Sequence, residues 1–323
     1  MRRARRTPLG GRWAGLALLL AATGACAQEP MSWSRMQEAI RAQDVPVAER
    51  LPYGPGPHRY GELTLPQGDG PHPVAVVVHG GCWLSIADLS YMRPLARELN
   101  RAGWATWTLE FTRIDQEGGG WPGILSDVAR GADHLAELAR SRPLDLERVV
   151  AVGHSSGGHL ALWLAGRGSL PAGTETPRLS DPALAIRGVV GLAPITDLED
   201  YQARSDRCGP TVVADLLDAP VGTSTDGPAS GAESRETRLA LTDPARLLPL
   251  GVPQLIVMGE LDAIVPPEHG MWWRRRAQAR GDVVELAVIP GAGHFELVAP
   301  WSPPWDSVES RVRSFLSRFV EGG

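Results

Sequence analysis

The stretch RVVAVGHSSGG (residues 148–158) joins an apolar run directly to small and polar residues. The run predicts a short buried strand, and the residues after it predict a tight turn into a helix. A serine lifted out of such a turn needs very small residues two positions before and after it, because side chains there would collide with neighbouring backbone. Gly153 and Gly157 satisfy this requirement for Ser155. The competing choice, Ser156, would place a histidine at the earlier position, so the spacing selects Ser155.

The rest of the chain alternates between short β-rich runs and helical patterns. The predicted strands are residues 59–65, 74–79, 105–111, 148–152, 186–192, 254–258 and 283–289. The predicted helices are residues 33–42, 89–101, 124–139, 158–165, 211–217, 271–280 and 307–319. Several strands are continuously apolar, which is typical of a sheet covered by helices on both faces. The alternation predicts a doubly wound α/β fold with a mostly parallel sheet.

The N-terminus has the features of an export signal, which sets the predicted domain boundaries. Several arginines precede a short apolar segment and the small residues before Gln28, so we predict a signal peptide over 1–27. The apolar segment is shorter than the roughly 20 residues that a membrane span needs. An extension over 28–54 and one α/β domain over 55–323 would follow. The expected location is periplasmic or secreted, with a lipid anchor on Cys26 as the less favoured variant.

One stretch, residues 196–241, interrupts the alternation. Its first half contains the helical pattern at 211–217, and its second half, 221–236, is rich in Gly, Ser, Thr, Asp and Glu. Long irregular insertions in compact domains are usually lids or binding loops, or else disordered. We predict a partial cap from the first half and disorder in the second half.

Composition excludes several chemistries. The net charge of −5 offers no basic surface for nucleic acid. All 32 basic residues are arginine, which excludes Schiff-base and Ser-Lys mechanisms. No set of histidines, acids or cysteines has metal-ligand spacing, so we predict neither a metal nor another cofactor.

A serine nucleophile needs a general base and an acid that orients it. In the predicted fold, these follow the nucleophile in the order acid and then histidine, each after a strand. Asp262 fits the acid, four residues past the strand at 254–258, and His294 fits the base, in a glycine-rich loop after the last strand. Glu260 is the alternative acid and His269 the alternative base.

The residues after the strand at 74–79 complete the predicted site. Acyl transfer places negative charge on a carbonyl oxygen, and backbone N–H groups aimed at that oxygen stabilise it. Consecutive glycines let the backbone turn such groups inward, so we assign the amides of Gly81 and Cys82, together with that of Ser156. Trp83 and His154 are predicted to lie along the substrate pocket, although hydrogen bonding is the more ordinary role for His154.

Removal of the predicted signal leaves two cysteines, Cys82 and Cys208. In an oxidising compartment two thiols tend to pair where geometry allows, so we favour a disulfide over two separate buried thiols. Such a bridge would tie the predicted cap to the loop that holds the oxyanion amides.

The motifs together resemble those of α/β-hydrolases of the esterase/lipase and kynurenine-formamidase-like group. The similar stretches are HGGCW (79–83), EFTR (110–113), GGGWP (118–122), GHSSGG (153–158), Asp262 ahead of a Val-Pro pair, and GHF (293–295). The likeness extends over about residues 55–320. It implies a serine hydrolase but not a substrate, because one scaffold hosts many activities.

The leading hypothesis is a carboxylesterase that acts on a small-molecule ester through an acyl-enzyme intermediate. Arylformamide hydrolysis is the first alternative, and export argues against it because tryptophan breakdown is cytosolic. A peptidase is the next alternative, and a non-catalytic binding protein on a hydrolase scaffold is the hypothesis from a different class. Neither nucleic acid nor a membrane span is expected as part of the function, and the sequence does not indicate an oligomeric state.

Overall fold

The structure is a computed structural model that describes residues 29–43, 45, 47–171, 183–218 and 234–320. The predicted signal peptide, with Cys26, and most of the low-complexity stretch at 221–236 lie outside the described residues. Among the described helices, none is long and apolar enough to cross a membrane.

The centre of the molecule is one eight-stranded sheet. Its strands are β1 (Glu49–Pro52), β2 (Tyr60–Thr64), β3 (His72–Val78), β4 (Ala105–Leu109), β5 (Leu144–His154), β6 (Gly188–Leu192), β7 (Gln254–Gly259) and β8 (Val284–Ile289). They lie in the order β1-β2-β4-β3-β5-β6-β7-β8. The pairs β1–β2 and β2–β4 are antiparallel and every later pair is parallel. This mostly parallel sheet confirms the predicted fold class.

Helices connect and cover the strands. They are α1 (Trp33–Ala42), α2 (Arg93–Arg101), α3 (Gly123–Asp133), α4 (Leu135–Leu138), α5 (Ser156–Gly166), α6 (Leu198–Arg204), α7 (Val212–Asp218), α8 (Arg235–Thr242), α9 (Glu268–Ala279) and α10 (Trp305–Leu316). Every residue of β3 is buried, as expected for a central strand with both faces covered. The helix α5 packs against β5, β6 and β3, so it lies at the middle of the sheet.

Strand order determines where a site can form. From β3 the chain continues to β4 on one side and then crosses back to β5 on the other side of β3. The loops after β3 and β5 therefore diverge and leave a crevice at the carboxyl ends of these strands, which is where ligands bind in open α/β sheets. The predicted nucleophile, Ser155, follows β5, and the predicted oxyanion loop, residues 79–83, follows β3.

Several predicted elements differ from the observed ones. The sheet begins with β1, which falls in the predicted extension at 28–54; its four residues form an exposed edge strand that needs no apolar pattern. The helix predicted over 89–101 begins with a 3₁₀ turn, Leu89–Met92, because Pro94 favours a helix start there. The helix predicted over 124–139 is divided between α3 and α4 at His134.

The described part of the insertion is more helical than predicted. In addition to α7, which the pattern at 211–217 predicted, it contains α6 and α8. Disorder was the wrong prediction for residues 234–236, because Ser234 caps α8 by accepting a hydrogen bond from the amide of Thr237.

Candidate active site

Ser155 lies on a tight turn between β5 and α5. Its φ of +57° is unusual for a residue with a side chain, and such strain occurs mainly at functional sites. A Cβ at Gly153 would lie 2.2 Å from the carbonyl oxygen of Gly157, and a Cβ at Gly157 would lie 2.3 Å from the carbonyl oxygen of His79. Backbone atoms cannot give way as side chains do, so both positions require glycine, as the spacing argument predicts.

The neighbouring serine has a different environment. Ser156 is the first residue of α5, and its hydroxyl accepts a hydrogen bond from the backbone amide of Trp83 at 3.3 Å. Its side chain therefore holds the loop after β3 against the elbow. Ser155 remains the residue on the turn itself.

Asp262 and His294 come together at the same edge of the sheet. Asp262 follows β7, His294 follows β8, and their Oδ2 and Nδ1 atoms are 2.7 Å apart in a buried contact. The other carboxylate oxygen of Asp262 accepts hydrogen bonds from the amides of Ile264 and Val265, at 2.8 and 2.9 Å. Because a carboxylate only accepts, Nδ1 of His294 must carry a proton, which leaves Nε2 as the basic atom.

Neither alternative residue joins this pair. Glu260 is exposed, and its carboxylate accepts a hydrogen bond from the amide of Gly291 at 2.9 Å. His269 lies in α9 with Nδ1 3.4 Å from a carboxylate oxygen of Asp200. The geometry thus pairs the two residues that strand order predicted.

The loop after β3 presents free backbone amides. Gly81, Cys82 and Trp83 all have positive φ, at +111°, +58° and +58°, so the chain turns sharply at these residues. Within the part of the chain that the structure describes, the amides of Gly81 and Cys82 donate no hydrogen bond. The amide of Ser156 is in the first turn of α5, where no carbonyl of the helix can accept from it.

A buried cluster of His79, Glu110 and Arg113 lies at the start of this loop. His79 directs Nδ1 at the carbonyl oxygen of Gly80 (2.7 Å) and Nε2 at the carboxylate of Glu110 (3.1 Å), while its ring stacks on Phe111. Arg113 also donates to Glu110. Burial would raise the pKa of Glu110, but His79 and Arg113 hold that pKa below its usual value. The carboxylate therefore stays ionised and fixes the imidazole at the start of the loop.

A disulfide joins Cys82 to Cys208, with Cα atoms 5.4 Å apart. It links the loop after β3 to the segment between α6 and α7, as we predicted. The loop that presents the free amides is therefore covalently tied to the insertion.

Comparison with known proteins places this architecture in a family. The sequence profile of the BD-FAE family matches residues 62–274, about two thirds of the chain. This chain belongs to the BD-FAE family of α/β-hydrolase esterases. The BD-FAE segment includes Ser155 and Asp262, and His294 lies beyond its end. A search among curated proteins finds no match.

The solved structures similar to this BD-FAE protein include three esterases. A truncated carbohydrate esterase from gut microbiota is 15% identical, with a TM-score of 0.67 over 86% of this chain and 99% of that one. Esterase B from Lactobacillus rhamnosis is 16% identical, with a TM-score of 0.69 over 90% and 93%. A thermophilic esterase from Thermogutta terrifontis with propionate bound is 17% identical, with a TM-score of 0.66 over 86% and 96%. At these identities the likeness establishes the fold.

Two buried histidines lie beside the elbow of this BD-FAE protein. His159 directs Nε2 at the carbonyl oxygen of Thr242 and accepts from the indole of Trp83 at Nδ1. Burial lowers the pKa of His159 to about 4, so its ring is neutral. His154 is also buried, and its ring centroid is 4.5 Å from that of His294. A role for Trp83 and His154 in the substrate pocket stays a prediction.

Sequence reasoning missed one residue beside the site. Tyr91 is buried in the 3₁₀ turn after the loop, and its hydroxyl contacts both His154 and the amide of Gly80. No local signal marks it, because a tyrosine in a mostly apolar segment resembles any other core aromatic residue.

Proposed function

We propose that this protein hydrolyses carboxylic esters through an acyl-enzyme intermediate on Ser155. The observation that carries the proposal is the Asp262–His294 pair, held at 2.7 Å on the sheet edge that also presents Ser155 and the free amides of the loop after β3. A nucleophile on a strained turn, an oriented imidazole and unpaired amides are the three parts that acyl transfer requires.

Each part has one task in the reaction. The hydroxyl of Ser155 attacks the ester carbonyl carbon while Nε2 of His294 takes its proton, and Asp262 stabilises the imidazolium that forms. The negative oxygen of the tetrahedral intermediate accepts hydrogen bonds from Gly81, Cys82 and Ser156. His294 then returns the proton to the departing alcohol, which leaves the acyl group on Ser155.

Water completes the cycle by the reverse sequence. His294 takes a proton from water as the water oxygen attacks the acyl carbon, and the same amides stabilise the second tetrahedral intermediate. The proton then goes to the oxygen of Ser155, and the carboxylic acid departs. Each oxyanion amide is worth about 10²- to 10³-fold in kcat in enzymes of this type.

The proposal is tested by a panel of p-nitrophenyl esters of increasing chain length, with N-formylkynurenine and a feruloyl ester beside them. We expect ester hydrolysis by the wild-type protein and its loss in Ser155→Ala, with Ser310→Ala, at an exposed position of α10, as the folded control that keeps the activity. Hydrolysis of N-formylkynurenine alone would replace the ester assignment with the formamidase one. Equal hydrolysis by Ser155→Ala would overturn the mechanism.

We also propose that the protein is exported, with cleavage before Gln28. The disulfide between Cys82 and Cys208 supports this, because such bonds persist mainly in oxidising compartments. N-terminal sequencing of protein recovered from the periplasm or the medium should begin at Gln28. Recovery of the uncleaved chain from the cytoplasm alone would contradict export.

A further inference from the structure

Ester hydrolysis requires groups on loops that follow distant strands. The oxyanion loop follows β3 and the loop of His294 follows β8, with β5, β6 and β7 between them. At about 4.8 Å per strand, these two strands lie roughly 19 Å apart. The two strands do not pair with each other directly, so side chains that reach between their loops add to the restraint that the intervening strands provide.

One buried chain of hydrogen bonds makes this connection. The amide of Gly80 contacts the hydroxyl of Tyr91, that hydroxyl lies 3.0 Å from Nδ1 of His154, and Nε2 of His154 lies 3.1 Å from the carbonyl oxygen of His294. Tyr91 is 3% exposed and His154 is 1% exposed, so water does not compete for these bonds. This series of hydrogen bonds runs from Gly80, in the oxyanion loop, to the backbone carbonyl of His294, the proposed base.

The direction of each bond follows from the two ends. A carbonyl oxygen only accepts, so Nε2 of His154 donates to His294. An amide only donates, so the hydroxyl oxygen of Tyr91 accepts from Gly80. The single proton of Tyr91 then goes to Nδ1 of His154, and every donor and acceptor in the chain is used once when His154 is neutral.

Surrounding groups keep both side chains in these states. Burial, and then the adjacent His294, hold the pKa of His154 well below its usual value. Burial raises the pKa of Tyr91, so the hydroxyl keeps its proton. The ring centroid of Trp33, in α1, lies 5.5 Å from that of Tyr91 and 5.4 Å from that of Phe295. The indole therefore packs against the hydrogen-bonded residues.

We propose that Tyr91 and His154 are positioning residues that set the distance between the oxyanion loop and the base. This inference rests on the proposed ester hydrolysis. Loss of the bridge leaves the nucleophile, the Asp262–His294 pair and the free amides present but lets the two loops move apart. Misplacement on the scale of 1 Å costs about 100-fold in rate even when the altered residue is remote from the chemistry.

The test is a double-mutant cycle on kcat with Tyr91→Phe and His154→Leu. Each single change should lower kcat about 10- to 100-fold with KM unchanged, because the bridge orients groups for the transition state. The double variant should be no slower than the slower single one, since either change already breaks the bridge. His154→Gln should recover most of the loss, because its amide nitrogen can donate to the same carbonyl oxygen.

The matched control is Tyr53→Phe, which removes another buried hydroxyl that donates to a backbone carbonyl, that of Glu110. Its effect on kcat should multiply with that of His154→Leu. If His154→Leu does not fold, as judged by near-UV circular dichroism, the cycle is run with His154→Phe, whose ring has no nitrogen and so also breaks the bridge, and the same non-additivity is expected.

Different results would contradict the proposed bridge and the proposed ester hydrolysis. Wild-type kcat in Tyr91→Phe and His154→Leu, independent multiplication of their effects, or a change in KM alone would overturn the bridge. Those results would leave the ester hydrolysis intact. Ester hydrolysis that survives in Ser155→Ala would instead overturn the function.

Discussion

At the level of single residues, hydrogen-bond direction decides which atom of His294 can act as a base. Asp262 accepts from two backbone amides with one oxygen and from His294 with the other, so it cannot turn away from the imidazole. The carboxylate therefore fixes both the ring orientation and the proton on Nδ1. This is a property of the side-chain chemistry rather than of the charge alone.

The replacement Asp262→Asn tests this statement. The amide that replaces the carboxylate can donate to Nδ1, which favours the wrong tautomer, so kcat should fall by about 10³- to 10⁴-fold. The melting temperature should change little, since the shape is kept. Glu260→Gln is the control, because that side chain is exposed and accepts a hydrogen bond from the amide of Gly291 rather than from His294. Equal kcat values in the two variants would contradict the assignment of the acid.

At the level of elements, close approach of backbones determines the elbow. The oxyanion loop, β5 and α5 meet so tightly that a methyl group at Gly157 would lie 2.3 Å from carbonyl oxygens of both Val78 and His79. Gly157→Ala should therefore lower the free energy of unfolding by about 1 to 3 kcal/mol or more and reduce activity.

Gly168→Ala provides the comparison, because among the described residues beyond its immediate chain neighbours no heavy atom lies within 4 Å of an added Cβ, and the backbone is not left-handed. Urea denaturation of both variants measures the difference. A Gly157→Ala protein as stable as the Gly168→Ala protein would show that the elbow is looser than described.

The stability of the contact between Asp243 and the start of α6 should depend on pH. Asp243, after α8, is buried, and burial together with the nearby Asp197 of the α6 cap raises its pKa from 3.8 to about 7. A raised pKa means that the folded protein binds this proton more tightly than the unfolded chain does. Asp243 therefore destabilises the fold increasingly as pH rises from about 4 to 7, and by a constant amount above that.

Asp243→Asn should remove this penalty while keeping an oxygen that can accept from the amide of Ala245. At pH 8 the variant should be more stable than the wild type, by up to about 4 kcal/mol at roughly 1.4 kcal/mol per pKa unit. At pH 4 the two should be nearly equal. Asp306→Asn, an exposed position in α10, controls for the loss of one charge. The same gain at both pH values would contradict the pKa shift.

Sequence patterns predicted the features that depend on residues close together in the sequence. The helix over 33–42 has the predicted bounds, and the glycine spacing identified the serine on the turn, because both depend on residues close in the chain. The edge strand β1 was missed because it pairs with β2 alone and is mostly exposed, so its sequence needs no apolar pattern. The bridge through Tyr91 was missed because the two partners of Tyr91 are 11 and 63 residues away and His154 is 140 residues from His294, so only the folded sheet brings them together.

At the level of the whole molecule, the disulfide connects the sheet edge to the insertion. It joins residues 126 positions apart, for which the chain-entropy model gives a stabilisation of about 4 to 5 kcal/mol. The bridge also restrains Cys82, whose amide is proposed to bind the oxyanion and whose φ is +58°.

Reduction, or Cys208→Ser, should therefore lower both the melting temperature and kcat. Denatured, unreduced mature protein should show no free thiol. Two free thiols, or a reduced protein with unchanged melting temperature and kcat, would mean that the bridge does not form or does not restrain the site.

The central claim is that Ser155 is the nucleophile of an ester hydrolase, and active-site labelling tests it most directly. Folded protein is treated with a fluorophosphonate, digested, and the modified peptide located by mass spectrometry. The account predicts one phosphonyl group on Ser155, loss of ester hydrolysis in step with labelling, and no labelling of Ser155→Ala. Modification of Ser156 instead, or continued ester hydrolysis by fully labelled protein, would contradict it.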